Sequence, residues 1–133
     1  MPLYGNELGP DLTPYEAGLG RVVRLDKPGD FVGRAALAAR AADGPQQVLV
    51  GLVVQSRRVP RHGYPVVAGP TPAETARVGV VTSGGPSPSL GLPIAMAYVA
   101  ADAGPGPFYI DVRGRAEPAS IIELPFYDRR KQR

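Results

Sequence analysis

The chain of 133 residues carries 17 Gly, 16 Pro and one His but no Cys, and its length suits one domain with a real core. Its formal charge of +3 comes from 15 Lys and Arg against 12 Asp and Glu. Residues 128–133 hold four of the bases and one of the acids, which leaves 11 against 11 in the rest. A neutral body argues against a nucleic-acid-binding face, and the lack of Cys excludes disulfides, thiolate catalysis and Cys-ligated metals.

The apolar residues occur in short runs. None approaches the roughly 18 residues of a membrane span, and the N-terminus lacks the charged and apolar parts of a signal peptide. We therefore expect no membrane segment and a cytoplasmic location. Gly and Pro fall between the apolar runs rather than in one block, which is typical of turns between short strands.

The first third of the chain is predicted to be mostly irregular. Residues 1–20 are broken by Gly and Pro with apolar residues between them, and we expect this segment to pack onto something else. Residues 21–25 are a short strand candidate that ends at 26–29. An Ala-rich stretch at 34–42 predicts a helix, stopped by Asp-Gly-Pro at 43–45.

After residue 45 the pattern predicts strands at short intervals, each rich in Val or Ile and bounded by Gly or Pro. In the fifth strand, apolar and polar residues alternate, which places Phe108, Ile110 and Val112 on a core face. One helix followed by such strands favours a mainly β fold, a closed barrel or a sandwich. The predicted strands are 47–55, 64–68, 77–82, 94–100, 108–113 and 116–124.

Tests for catalytic motifs give little. His62 lies in a turn without metal-ligand partners, so we interpret it as a solvated or hydrogen-bonding turn residue. The stretch that begins at Thr82-Ser83-Gly84 lacks the Gly-Lys-Ser/Thr ending of a phosphate loop and is interpreted as a rigid, hydroxyl-rich connection. Three carboxylates of the first segment form the nearest approach to an acidic cluster, and we expect them to be exposed and ionised: Glu7, Asp11 and Glu16.

Several stretches, in the right order along nearly the whole chain, resemble the C-terminal part of the glycine cleavage system T-protein, a family of tetrahydrofolate-dependent aminomethyltransferases. They are Met-Pro-Leu-Tyr-Gly-Asn-Glu-Leu at 1–8, Pro-Tyr-Glu-Ala-Gly-Leu-Gly at 14–20, Leu-Asp-Lys at 25–27, Asp-Phe-Val-Gly-Arg at 30–34, Pro-Arg-His-Gly-Tyr-Pro-Val at 60–66, Gly-Val-Val-Thr-Ser-Gly at 79–84, Ser-Pro-Ser-Leu-Gly at 87–91 and Pro-Phe-Tyr at 125–127.

The resemblance implies a three-domain enzyme that ends in a small β-barrel. Such enzymes pass the one-carbon unit of the aminomethyl group on the lipoylated H-protein to tetrahydrofolate and release ammonia, without a metal. We therefore expect a small six-stranded β-barrel at 46–133, preceded at 1–45 by the trailing, irregular segment of the folate-binding region with one short α-helix. The implied partners are the H-protein and the missing N-terminal half of the enzyme.

The resemblance also implies which residues act. The family's catalytic aspartate lies upstream, and a second carboxylate directly precedes the Met-Pro-Leu-Tyr-Gly motif, so no catalytic residue is expected here. We expect a truncated gene, a late start or a deliberately shortened chain that is inactive by itself. The implied folate contacts are Lys27, the nearest match to a basic family residue, and Arg130 or Arg133 of the tail. For Thr82-Ser83-Gly84 we expect a role in domain packing.

Three alternatives stay open. The chain could be a non-catalytic binding module that docks or self-associates through the apolar residues of 1–20. It could be the folate domain of a dimethylglycine or sarcosine dehydrogenase-like enzyme, which has the same shape, although the Pro-Leu-Tyr-Gly-Asn-Glu-Leu opening favours T-protein. The third alternative, a small basic barrel that binds nucleic acid, is disfavoured by the neutral body.

Overall fold

The computed structural model describes residues 2–71 and 77–128. Its strands close into a barrel with the order β1-β4-β3-β2-β5-β6, and neighbouring strands pair antiparallel. The closed barrel confirms the predicted fold class and excludes the sandwich. The strands are β1 (Gln47–Val54), β2 (Pro65–Val67), β3 (Arg77–Ser87), β4 (Leu92–Ala100), β5 (Phe108–Asp111) and β6 (Ala116–Ile122).

The barrel interior holds the hydrophobic core. Phe108, Ile110 and Val112 are all buried, as their alternation predicted. Small residues of β4 fill the space opposite larger ones, which is how a narrow barrel reaches a packed interior. The other members of the core are Leu52, Val54, Val66, Val81, Ala95, Ala97, Val99 and Ala119.

Strand β3 is longer than the sequence predicts. The predicted end at residue 82 is wrong, because pairing with β4 continues from Ser83, opposite Met96, to Ser87, opposite Leu92. The register shifts between Val81 and Ser83, which marks a β-bulge at Thr82. The stretch interpreted as a rigid connection is therefore the far half of a strand that turns into β4.

Helix α1 (Arg34–Asp43) confirms the predicted helix, and none of its residues is buried. The strand predicted at 21–25 is wrong: Gly20–Val22 forms a 3-10 turn. A closed barrel leaves no open edge, so these apolar residues have no strand to pair with. No helix in the described residues is long and apolar enough to cross a membrane.

The first segment packs on the outside of the barrel. The Leu49 amide of β1 donates to the Glu16 carbonyl at 2.9 Å, and the Tyr98 hydroxyl of β4 donates to the Glu7 carbonyl at 2.7 Å. Leu3 and Tyr4 remain 60% and 74% exposed. The segment is thus fastened along one side and open on the other; the domain division at residue 45 stays a prediction.

Candidate functional site

Glu7 is the most buried carboxylate of the described residues, with 1% of its surface exposed. The expectation that it is exposed is therefore wrong. Its Oε1 accepts a hydrogen bond of 2.7 Å from the Thr82 hydroxyl, and its Oε2 accepts one of 2.9 Å from the Leu3 amide. The other two carboxylates of the segment differ: Asp11 is exposed and Glu16 is half-buried.

Burial raises the pKa of Glu7, because a charge is costly away from water. Hydrogen bonds from the Ser83 hydroxyl, the Leu3 amide and the Thr82 hydroxyl favour the ionised form and outweigh burial, so the net pKa lies below the ordinary value of 4.5. Glu7 is therefore an anion at neutral pH. A carboxylate held this way is a structural acceptor and a poor general base.

The β-bulge of β3 supplies the other half of this contact. Thr82 is buried, and its hydroxyl also lies 3.0 Å from the Met96 carbonyl of β4. On the other side, the Thr82 carbonyl lies 2.8 Å from His62 Nδ1. This contact agrees with the interpretation of His62 as a hydrogen-bonding turn residue.

Tyr98 fixes the backbone at the same place. Burial raises the pKa of its phenol, and the negative charges of Glu16 and Glu7 raise it further. The phenol therefore stays protonated and keeps donating to the Glu7 carbonyl at 2.7 Å.

Lys27, the candidate folate contact, lies in the exposed loop between the 3-10 turn and α1. Its ammonium forms no ion pair with another described residue. The loop itself is braced: the Arg34 guanidinium donates to the carbonyls of Leu25 at 2.6 Å and Gly29 at 2.7 Å, with a longer contact of 3.5 Å to that of Lys27. An exposed, uncommitted cation on a fixed loop is suited to pair with a carboxylate.

Two short contacts complete this loop. The Asp30 carboxylate accepts from the Phe31 amide at 2.9 Å, and the Arg34 guanidinium carbon lies 6.0 Å from the centre of the Phe31 ring. Arg34 thus donates to backbone carbonyls and lies near an aromatic ring, so its charge and its planar fork serve to close the loop. The loop of residues 25–30, closed by Arg34, is called the Arg34 clasp below.

A cleft of about 440 Å³ separates the first segment from residues 124–126. Apart from Arg21 its lining is apolar, so it offers no side-chain acid or base. The lining includes Ala17, Leu19, Leu49, Met96, Leu124 and Phe126.

The other two candidate folate contacts, Arg130 and Arg133, lie outside the described residues. Within residues 2–71 and 77–128, no group of three or more His, Asp or Glu side chains is placed to hold a metal ion. The structure brings together Glu7, Thr82 and Ser83, which the sequence interpretation left apart. The sequence interpretation missed the burial of Glu7 and the Arg34 clasp. The sequence signal for each was its place inside a motif of the resembled family.

Comparison with known proteins places these features in a family. The family model for the glycine cleavage T-protein C-terminal barrel domain matches residues 47–128, the barrel described above. The chain therefore belongs to the glycine cleavage T-protein family and corresponds to its C-terminal portion.

Full-length relatives agree. The chain is 61% identical to the aminomethyltransferase of Streptomyces coelicolor over 98% of this chain and 36% of that protein. It is 59% identical to that of Saccharopolyspora erythraea, over 97% of this chain and 35% of that protein. The crystal structure of glycine cleavage system aminomethyltransferase T from Bartonella henselae superposes with a TM-score of 0.82 at 34% identity, over 96% of this chain and 35% of that one. The chain thus spans about a third of the length of these relatives.

Proposed function

We propose that these residues complete an aminomethyltransferase of the glycine cleavage system, in the cytoplasm. The enzyme transfers the one-carbon unit from the aminomethyl-lipoyl H-protein to tetrahydrofolate and releases ammonia. The observation that carries this proposal is the identity of 61% to an aminomethyltransferase over 98% of the chain, with the barrel and the first segment both included.

Turnover, in this proposal, needs the remaining two thirds of such an enzyme. A one-carbon transfer requires an available carboxylate near the reacting nitrogens. In the part of the chain that the structure describes, Glu7 is occupied by Thr82 and Leu3, and Glu16 accepts from the amide and hydroxyl of Thr13 at 2.8 Å each. These carboxylates hold the fold together, which supports a supporting rather than a chemical role for this portion.

Tetrahydrofolate, when bound, supplies the nitrogens that accept the one-carbon unit. We propose that Lys27 binds the carboxylates of its glutamate end, with Arg130 or Arg133 as further contacts. The support for Lys27 is its exposure, its lack of an ion-pair partner among the described residues and the Arg34 clasp that fixes its loop.

The surface outside the barrel supports contacts with the rest of the enzyme and with the H-protein. Helix α1 has no buried residue although six of its ten residues are alanine, and Val32 before it is fully exposed. Apolar surface of this kind marks a contact with another protein surface.

The exposed apolar side chains of the first segment favour a second candidate, self-association through residues 1–20. Leu3 and Tyr4 are the clearest members of this surface, and both remain largely open. Sedimentation of the 133-residue chain over a range of concentrations tests it. A monomer at high concentration rules out this candidate and leaves the first proposal untouched.

The first proposal is tested with a chimera in which these 133 residues replace the matching portion of the Streptomyces coelicolor aminomethyltransferase, called the chimera below. Methylenetetrahydrofolate formation is measured with aminomethylated H-protein and tetrahydrofolate. We expect turnover by the chimera and none by the 133-residue chain by itself. Turnover by the chain by itself would overturn the supporting role.

Lys27→Ala in the chimera tests the folate contact. Loss of one charge-assisted contact raises the KM for tetrahydrofolate by about tenfold and leaves kcat nearly unchanged. Lys27→Arg, which keeps the charge, is the matched control and stays near the parent value. A KM for Lys27→Ala within about twofold of the parent removes Lys27 from the site.

A further inference from the structure

We propose that Glu7 is a positioning residue: held by Thr82 of the β3 bulge, it fastens the first segment to the barrel so that residues 2–19 keep one fixed path. This contact is called the Glu7 latch below. It assigns a role to the Thr82-Ser83-Gly84 motif. Its consequence for catalysis rests on the proposed function; its structural part does not.

The carboxylate of Glu7 is fully paired. Both carboxylate oxygens of Glu7 have donors, from Thr82 on the barrel and from the Leu3 amide on the segment. A buried anion is tolerated only with such partners, and removing one leaves a costly unpaired group. The latch therefore has one favourable arrangement rather than several.

The barrel residue that binds Glu7 is held rigidly. Val81 belongs to the barrel core, so the next residue, Thr82, faces outward, where the first segment lies, and the β-bulge is at this position. The backbone directly before Thr82 is fixed, because the Gly63 amide donates to the Val81 carbonyl at 2.8 Å and the Val81 amide donates to the Tyr64 carbonyl at 2.9 Å. The hydroxyl that meets Glu7 is thus anchored in the barrel wall.

The Glu7 side chain also fixes the turn at the start of the first segment. The Leu3 carbonyl accepts from the amides of Asn6, Glu7 and Leu8 at 3.1, 2.9 and 3.2 Å, and the Gly5 amide donates to the Leu8 carbonyl at 2.8 Å. The Glu7 side chain binds the Leu3 amide of this same turn. Glu7 therefore closes the turn and attaches it to β3 with one side chain.

The single proton of the Thr82 hydroxyl faces two acceptors, Glu7 Oε1 and the Met96 carbonyl. With Glu7 ionised, the proton goes to the carboxylate. A glutamine at position 7 keeps the contact by another route: its oxygen accepts from the Leu3 amide, its amide donates to Thr82 Oγ1, and Thr82 donates to Met96. Glu7→Gln is therefore the conservative rescue of Glu7→Ala.

Amide hydrogen exchange of the full 133-residue chain tests the latch. Glu7→Ala is expected to speed exchange at residues 5–8 by about tenfold or more while the amides of β3 and β4 stay within about twofold, and Glu7→Gln stays close to wild type. Asp11→Ala, an exposed carboxylate of the same segment, is the matched control. Unchanged exchange at 5–8 in Glu7→Ala overturns the latch.

Thr82→Val decides the question where Glu7→Ala fails to fold. The substitution preserves the shape of the side chain and removes the hydroxyl, so exchange at residues 5–8 rises as in Glu7→Ala, whereas Thr82→Ser restores protection. Exchange that rises equally at 5–8 and throughout β3 means general destabilisation and also overturns the proposal.

Activity of the chimera tests the consequence. Since displacement of a positioned segment is costly for group transfer, Glu7→Ala lowers kcat/KM by about tenfold, and Glu7→Gln and Asp11→Ala stay within about threefold of the parent. A chimera that is inactive before any substitution contradicts the proposed function, while the exchange experiment still decides the latch. An active chimera with Glu7→Ala at parental activity contradicts the positioning role.

Discussion

Two glutamates of the first segment differ in whether their hydrogen bonds can be predicted from the sequence. Glu16 accepts from the amide and hydroxyl of Thr13, three residues earlier, a short-range pattern visible in the sequence. Glu7 is held by Thr82, 75 residues away in the chain. The burial of Glu7 could not be predicted, because a contact between residues 75 positions apart leaves no local pattern in either segment.

The first prediction at the residue scale concerns pH. The native pKa of Glu7 is below the ordinary value of 4.5, so ionised Glu7 stabilises the fold above about pH 4.5, and this contribution is lost as pH falls through the native pKa. Glu16, whose pKa is also lowered, acts in the same direction. Urea unfolding between about pH 3 and 7 measures this pH dependence of the free energy of unfolding.

Glu7→Gln is the control for this pH dependence. The free energy of unfolding of wild type minus that of Glu7→Gln is constant near neutral pH and falls as pH drops below about 4.5. A difference that stays constant down to the lowest pH contradicts the lowered pKa of Glu7.

The second prediction separates two adjacent glycines of β3. A Cβ on Gly84 would lie 2.6 Å from the Pro60 carbonyl oxygen, whereas a Cβ on Gly85 meets nothing within 4 Å. Gly84→Ala therefore costs about 1–3 kcal/mol of unfolding free energy, because backbone must move. Gly85→Ala stays within about 0.5 kcal/mol. Equal stabilities of the two variants in urea unfolding contradict the close approach of Gly84 to Pro60.

At the scale of elements, pattern predicted the barrel strands and the helix but not how far each strand extends. The alternation in β5 placed Phe108, Ile110 and Val112 correctly in the core. The glycines and prolines of 84–88 suggested a connection, yet the backbone of 84–87 continues the pairing of β3 with β4. Residues 21–25 have the composition of a strand but no strand to pair with. Their structure could not be predicted locally, because strand pairing depends on the whole barrel.

The Arg34 clasp gives the prediction at this scale. Lysine keeps the charge but cannot bridge two carbonyls with one planar group, so Arg34→Lys frees the loop that carries Lys27. In the chimera, the KM for tetrahydrofolate rises about threefold to tenfold, while stability falls by no more than about 1 kcal/mol because α1 buries nothing.

Arg40→Lys, an exposed position of the same helix, is the matched control for the clasp. It is expected to leave the KM for tetrahydrofolate at the parent value. If Lys27→Ala raises the KM for tetrahydrofolate but Arg34→Lys leaves it unchanged, Lys27 does not depend on Arg34 for its position. That result contradicts the role of the clasp.

At the scale of the whole molecule, closure of the barrel explains what the rest of the chain does. The strands pair around a full circle, and among the described residues the first segment attaches on the outside through side chains and single backbone hydrogen bonds. The sequence predicted this arrangement, in which an irregular segment and a helix precede the strands. It could not predict the direction of the segment, which depends on contacts between Glu7, Thr82 and Tyr98 that are distant in the chain.

The most direct test of the central claim is the rate of methylenetetrahydrofolate formation by the chimera, compared with its Streptomyces coelicolor parent and with that parent lacking the matching portion. If these 133 residues are the C-terminal portion of an aminomethyltransferase, the chimera works within about tenfold of the parent, and the shortened parent shows no turnover. A folded chimera that binds H-protein yet forms no more product than the shortened parent contradicts the account.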